Sequence, residues 1–127
     1  MDVSEYIEHH REKAEQEKRE AEHLFIYLNR LVKEQVQDLA KKYNPEKIYL
    51  FGSLLDRDKF CAGSDIDLAI SGLEAEDYLD FWGDLEERLQ HSFDLVNLET
   101  ADNRLNQFIR QEGVVIYDRK KEESQFI

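Results

Sequence analysis

The first third of the chain has the residue pattern of a long helix. Positions 4–43 contain neither glycine nor proline and are mostly strong helix formers, which predicts one long helix or two stacked ones. Apolar residues form only a weak stripe in the first half, whereas from Leu24 onward they recur every three or four positions and can bury one face. Asn44 and Pro45 then end the helical pattern. We therefore expect a polar helical extension, residues 1–23, followed by a helix that packs on a core.

After this helix the apolar residues occur in short runs and in two amphipathic stretches. Strands are predicted at 48–51, 66–70, 93–98 and 114–117, and helices at 74–90 and 102–111. Trp82 falls at helical spacing with other apolar residues, so we expect it in the core. The charged segment 119–127 is expected to be a fraying tail. The pattern is that of an α/β domain, residues 24–118, with a small mixed sheet flanked by helices.

Charge and cysteine content narrow the possible functions. The 127 residues fit one domain, and 29 acidic against 17 basic residues give a formal net charge of -12. Such a surface repels phosphate backbones and anionic lipid, which argues against direct nucleic-acid binding and against membrane binding. The single cysteine, Cys61, excludes an internal disulfide and fits a reducing compartment. With no signal-like N-terminus and no apolar run long enough to cross a bilayer, we expect a cytoplasmic protein.

The second predicted strand begins with an Asp-x-Asp pattern. Asp65 and Asp67 are two positions apart, so in a strand both side chains point to one face while Ile66 and Leu68 enter the core. Two adjacent like charges on an apolar strand are unfavourable unless a positive charge lies between them, and hard oxygen ligands favour Mg²⁺. Taken alone, the pattern also fits an exposed edge strand whose acids face water.

Two more features could lie beside this pair. Gly52 and Ser53 end the first predicted strand, where a backbone without a side chain and a neighbouring hydroxyl can approach phosphate oxygens, although Gly-Ser alone indicates only a turn. Asp94 opens the third predicted strand, which after a helical crossover can run parallel to the strand of Asp65 and Asp67. Three carboxylates beside a phosphate-binding turn can hold two Mg²⁺ ions for an in-line phosphoryl displacement.

Together these features resemble the minimal nucleotidyltransferases (MNT) of the DNA polymerase beta superfamily. The resemblance extends over residues 45–117 and includes the closing pattern from Ile109 to Tyr117. It implies the superfamily's palm-like nucleotidyltransferase fold. It also implies a triphosphate-binding pair, Gly52 and Ser53, and three catalytic carboxylates that bind metal, Asp65, Asp67 and Asp94.

The same resemblance implies an activity and a partner. Minimal nucleotidyltransferases transfer a nucleoside monophosphate from an NTP to a hydroxyl, so we expect AMP transfer from ATP with two Mg²⁺ ions, for which Mn²⁺ can substitute. The resemblance is to antitoxins of HEPN/MNT toxin–antitoxin pairs, which implies a helical HEPN-domain partner as the acceptor. The loop before Asp65 is one residue longer than is usual in the family, and Arg57 is the candidate for the family's loop arginine, displaced by that insertion. A surface loop accommodates one extra residue at small free-energy cost.

Two alternatives remain open from the sequence. The chain could be the catalytic subunit of a two-component enzyme whose helical partner holds a small acceptor. It could also be a non-catalytic antitoxin that acts by binding alone, although binding alone has no need of metal ligands. Homo-oligomerisation also stays open, and the polar extension fits either a solvated helix or a partner-binding one.

Overall fold

A computed structural model describes residues 2–124, which form four strands and four α-helices. In chain order they are α1 (Val3–Tyr43), β1 (Lys47–Phe51), β2 (Ile66–Ser71), α2 (Tyr78–Leu89), β3 (Phe93–Asn97), α3 (Asn103–Glu112), β4 (Val114–Asp118) and α4 (Arg119–Ser124). Short 3₁₀ turns at Gly52–Leu55 and Ala75–Asp77 connect some of them. Every predicted strand and helix is present, with bounds that differ by a few residues. In the described part of the chain, no helix combines the length and apolarity needed to cross a membrane.

Helix α1 is a single continuous helix of 41 residues, and only its second half packs on the domain. Its buried positions follow the predicted stripe and are Leu28, Val32, Val36, Leu39 and Ala40. The helix ends where Asn44 adopts a left-handed conformation, with φ at 52°, and its backbone N–H donates to the Ala40 carbonyl at 2.7 Å. The sequence left open one helix or two, and the structure shows one.

The sheet is mixed, as predicted, with the strand order β3-β2-β1-β4. Strand β1 pairs antiparallel with both β2 and β4, whereas β2 and β3 are parallel neighbours. Helix α2 makes the crossover between the two parallel strands, since parallel pairing needs a connection that returns along the sheet. The predicted position of the third strand, beside the Asp-x-Asp strand, is confirmed.

The two faces of the sheet are covered unequally. One face packs against α1 and α2 in the larger core, which takes the side chains of Ile66, Leu68 and Ile70 from β2. The opposite face packs beneath α3 in a smaller cluster of Tyr49, Ala69, Leu98 and Ile109. Side chains that alternate with the larger core on β2 and β3 therefore project to the α3 side of the sheet.

The expectation that Trp82 is buried is wrong. Its side chain is 38% exposed and packs against the ring of Phe93, with ring centroids 5.3 Å apart. The buried face of α2 is formed by Phe81, Leu85 and Leu89, and Trp82 is one position out of phase with it. One helical step is about 100°, enough to move a side chain from the core to its margin.

The predicted tail is helical over residues 119–124, which form α4. The backbone N–H of Arg119 donates to the Glu46 carbonyl at 2.9 Å, and its guanidinium donates to the Asn44 carbonyl at 3.2 Å. These bonds attach the helix to the turn that leads into β1. The rest of the predicted tail, 125–127, lies outside the described residues.

Candidate active site

The carboxylates meet where β2 and β3 begin. The parallel register places Asp67 directly opposite Asp94, and the antiparallel register pairs Phe51 at the end of β1 with Asp67. Asp94 lies between Phe93 and Leu95, both of which pack towards the larger core, so Asp94 projects to the α3 side of the sheet, as Asp67 does. The structure therefore brings these two predicted residues together on one face.

Gly52 lies against the Asp67 carboxylate. Its φ of +80° is a conformation that other residues rarely adopt, and a Cβ added there would overlap Oδ2 of Asp67 and lie 3.0 Å from its Cγ. The absence of a side chain at this position is therefore required by both the backbone conformation and the neighbouring carboxylate. Ser53 follows as the second residue of the 3₁₀ turn, so the predicted Gly-Ser pair adjoins the carboxylates.

Asp65 lies just before β2 and is held by a residue that the sequence did not indicate. The hydroxyl of Ser92 donates to Oδ1 of Asp65 at 2.5 Å, and the backbone N–H of Ile66 donates to the Ser92 carbonyl at 3.0 Å. Ser92 precedes Asp94 by two positions, so strand alternation places both on one face. That spacing was the only available signal, because a single serine before a strand is unremarkable in sequence.

The site carries negative charge in excess. Asp67 is half-buried, whereas Asp65 and Asp94 are exposed. Burial raises the pKa of Asp67 above its usual range, and the negative charges of Asp94 and Asp65 raise it further. A cation between these carboxylates would offset the repulsion and favour the ionised form of Asp67.

The three carboxylates are the type of ligand that a hard divalent cation prefers, although they are not arranged as a complete metal site. All three predicted ligands supply carboxylate oxygens, the ligands that Mg²⁺ prefers, and Asp67 and Asp94 face each other. Among residues 2–124, no group of three or more His, Cys, Asp or Glu side chains has the arrangement to hold a metal ion. Asp65, the third predicted ligand, has its Oδ1 bonded to Ser92.

The turn after β1 is supported from α1. Leu54 is buried in the larger core, and the Asn29 amide donates both to the Leu54 carbonyl at 3.1 Å and to the Phe25 carbonyl at 3.0 Å. Asn29 thus fixes the backbone of the Gly52–Leu55 turn to the helix. Sequence reasoning missed Asn29 because its partner in the turn is 25 positions away and no local pattern connects them.

Arg57, Cys61 and His91 lie in the segments that precede β2 and β3. Arg57 stacks on the ring of Phe25 at 5.7 Å, and Nε2 of His91 lies 2.9 Å from the Ser64 carbonyl. Cys61 is exposed in the loop before β2. A cleft of about 760 Å³ lies between α1 and this loop, but the site carboxylates are not among the residues that line it. We therefore place the candidate site at the strand ends, on the basis of its chemistry, and not at this cleft.

Comparison with known proteins identifies the family of the chain. Residues 34–122 match the model of the family described as polymerase beta, nucleotidyltransferase. No protein of curated function matches the chain. Similar solved structures include a toxin–antitoxin with AMP-PNP, at 24% identity and a TM-score of 0.58, which covers 74% of this chain and 79% of that one. Another is a complex of tri-AMPylated Shewanella oneidensis HEPN toxin with MNT antitoxin, at 24% identity and a TM-score of 0.54, covering 76% and 78%.

At these identities the structural likeness establishes the fold. The family match covers well over half of the sequence and includes β1 to β4, which carry or border all the candidate site residues. The chain therefore belongs to the polymerase beta nucleotidyltransferase family.

Proposed function

We propose that the chain is the nucleotidyltransferase antitoxin of a HEPN/MNT toxin–antitoxin pair. In this role it transfers AMP from ATP to a hydroxyl of its helical partner and releases pyrophosphate. The observation that carries the proposal is Asp67 facing Asp94 beside the Gly52 turn, in a chain of the polymerase beta nucleotidyltransferase family. The fold neighbours support the choice of partner and reaction, since they come from toxin–antitoxin complexes, one of which contains an AMPylated HEPN toxin.

In this proposal Asp65, Asp67 and Asp94 would hold Mg²⁺, with Mn²⁺ as a substitute. When bound, the metal supplies Lewis-acid stabilisation of the phosphate charge and lowers the pKa of the acceptor hydroxyl. Asp94 is exposed, so an incoming hydroxyl can reach it. We assign it the role of accepting the hydroxyl proton.

Gly52 and Ser53 would bind the triphosphate. The close approach of the Gly52 backbone to Asp67 leaves no side chain between this turn and the carboxylates. Asn29 holds the turn against α1, so the phosphate-binding backbone needs little reorganisation when the nucleotide binds. The acceptor reaches the reacting phosphate from the open side, because Asp65 and Asp94 are both exposed.

The test is the intact mass of a HEPN-domain protein encoded beside this chain, after incubation with the full chain, ATP and Mg²⁺. We expect the mass to rise by one or more AMP groups. The Asp67→Asn variant should bind the partner and leave its mass unchanged, because one carboxylate of the facing pair is lost. The matched variant Asp84→Asn changes an acid on α2, outside the site, and should modify the partner as the wild type does.

Three outcomes would contradict the proposal. An unchanged partner mass with the wild-type chain would exclude protein AMPylation of that partner. Full modification by Asp67→Asn would remove Asp67 from the chemistry. Should Asp67→Asn neutralise the toxin without modifying it, the chain is an antitoxin that acts by binding alone.

A further inference from the structure

A serine hydroxyl completes the row of polar side chains at the strand ends. The parallel register pairs Ile66 with Phe93 and Asp67 with Asp94, so its continuation by one residue places Asp65 opposite Ser92. The two side chains are hydrogen-bonded, with Ser92 Oγ 2.5 Å from Oδ1 of Asp65. The site face therefore has two cross-strand rows, one of two carboxylates and one of a carboxylate and a hydroxyl.

Ser92 is itself firmly placed. Its carbonyl accepts the backbone N–H of Ile66 at 3.0 Å, which extends the sheet pairing by one bond. The preceding residue, His91, has Nε2 2.9 Å from the Ser64 carbonyl, so the segment before β3 contacts the segment before β2 at two successive residues. Helix α2 ends at Gln90, whose left-handed conformation, with φ at 48°, sets the direction in which the chain leads to Ser92. The hydroxyl is thus presented from a backbone that is tied to the backbone of Asp65.

Among residues 2–124, the bond from Ser92 is the main constraint on the Asp65 side chain. It precedes the first residue of β2, and its side chain is exposed. An exposed carboxylate in water samples several rotamers, and a single hydroxyl donor that occupies one oxygen selects among them. A carboxylate has two oxygens, so a bond at Oδ1 leaves Oδ2 available to a second partner.

We propose that Ser92 is a positioning residue, which holds Oδ1 of Asp65 so that Oδ2 is available to a divalent cation shared with Asp67 and Asp94. Outer partners of this kind orient metal-binding carboxylates and commonly affect metal affinity about 10-fold to 100-fold. This inference rests on the proposed function, since it assumes that the three carboxylates form a cation site. The proposal adds Ser92, which lies outside the family motif, and assigns its hydroxyl the role of orienting Asp65.

The test is a titration of the full chain with Mn²⁺ alone, in which free Mn²⁺ is followed by its electron paramagnetic resonance signal. Ser92→Ala should bind Mn²⁺ about 10-fold more weakly than the wild type or worse. Ser92→Thr keeps the hydroxyl and should retain the affinity. Ser4→Ala is the matched control, because Ser4 also donates to a carboxylate, that of Asp2 at 2.7 Å, at the far end of α1.

A double variant separates positioning from a general effect on the fold. In an Asp65→Asn background, Ser92→Ala should weaken Mn²⁺ binding no further, because the oriented ligand is already lost. The inference is overturned if Ser92→Ala binds as tightly as the wild type or more tightly, if Ser92→Thr loses as much as Ser92→Ala, or if the loss persists in the Asp65→Asn background. It is also overturned if metal-free Ser92→Ala does not fold, since Ser92 is then a structural residue.

The measurement is independent of AMP transfer. Neither ATP nor a partner is present, so a failure to modify the HEPN-domain protein would leave the Ser92 result unaffected. The absence of Mn²⁺ binding to the wild-type chain would overturn this inference directly, whatever the outcome of the transfer assay.

Discussion

Among the three carboxylates, Asp67 holds its charge in the least favourable surroundings. It is half-buried, and burial together with the charges of Asp94 and Asp65 raises its pKa. The folded chain therefore keeps the Asp67 proton to a higher pH than the unfolded chain does. As pH rises from the ordinary Asp pKa through the raised one, the unfolded state releases its proton first, and stability falls. Above its raised pKa, the ionised Asp67 is a destabilising group in the metal-free protein.

Asp67→Asn should therefore raise the melting temperature of the metal-free chain at neutral pH. The gain should shrink as pH falls through the raised pKa of Asp67 and vanish below the ordinary Asp range, where both states are protonated. Thermal unfolding over a pH series measures this. Asp84 provides a control of opposite sign, since hydrogen bonds from Tyr43 and Lys42 lower its pKa, so Asp84→Asn should reduce the neutral-pH melting temperature. A lower melting temperature for Asp67→Asn at neutral pH would contradict this, because it would show that favourable interactions compensate the charge of Asp67 in the wild-type chain.

Gly52 gives the second prediction at the residue scale. Gly52→Ala combines a positive φ with overlap of the Asp67 carboxylate, so it should lower the free energy of unfolding by about 1–3 kcal/mol. It should also reduce nucleotide binding, because Asp67 must move to make room. Gly63→Ala is the control, since an added Cβ there meets nothing within 4 Å. Denaturant unfolding and nucleotide titration of both variants are the measurements, and equal behaviour of the two would remove the special role of Gly52.

The elements were largely predictable because their hydrophobic patterns are local. Gly52, Asp67 and Asp94 could be associated from sequence, since a strand end, an alternating pattern and a parallel crossover each constrain where they lie. Ser92 and Asn29 could not, because a lone serine or asparagine belongs to no local pattern that would indicate its partner 27 or 25 positions away. Trp82 was misplaced because helical spacing defines a face only to within about one residue step.

Helix α2 contains a residue that weakens it without a structural reason. Gly83 lies inside the helix, and an added Cβ would meet nothing within 4 Å. Gly83→Ala should therefore stabilise the protein by about 1 kcal/mol through helix propensity alone. Gly113→Ala is a contrasting variant, since a Cβ there would lie 2.5 Å from the Ile109 carbonyl oxygen and should destabilise. Chemical unfolding measures whether each variant raises or lowers the free energy of unfolding. A destabilising Gly83→Ala would reveal a tertiary constraint on α2.

At the scale of the whole molecule, the first half of α1 is separate from the core. Every side chain from residue 2 to 20 is exposed, including the apolar Val3, Tyr6 and Ile7. The ion pair of Arg11 and Glu8 within this segment, 3.9 Å apart, is exposed and contributes little stability. We interpret residues 1–23 as a segment that serves the partner and not the chemistry.

Hydrogen exchange tests this interpretation. Amides of residues 4–23 should exchange quickly in the free chain and slow when the proposed HEPN-domain partner is added, because the side chains of residues 2–20 are exposed and this half of α1 is not packed in the larger core. A chain that begins at Leu24 should still fold and bind Mg-ATP, but should bind the partner more weakly. Protection of these amides to the global unfolding limit in the free chain would contradict the interpretation and indicate a core or self-association role.

The length of α1 also determines how the protein moves through solution. At about 1.5 Å per residue its 41 residues extend about 60 Å, and the exposed first half projects about 30 Å from the domain. A rod attached to a small sphere has a larger frictional coefficient than a sphere of the same mass. A single chain should therefore elute early from a sizing column, at a position that globular standards would assign to a dimer. Light scattering or sedimentation equilibrium, which do not depend on shape, would assign the correct mass.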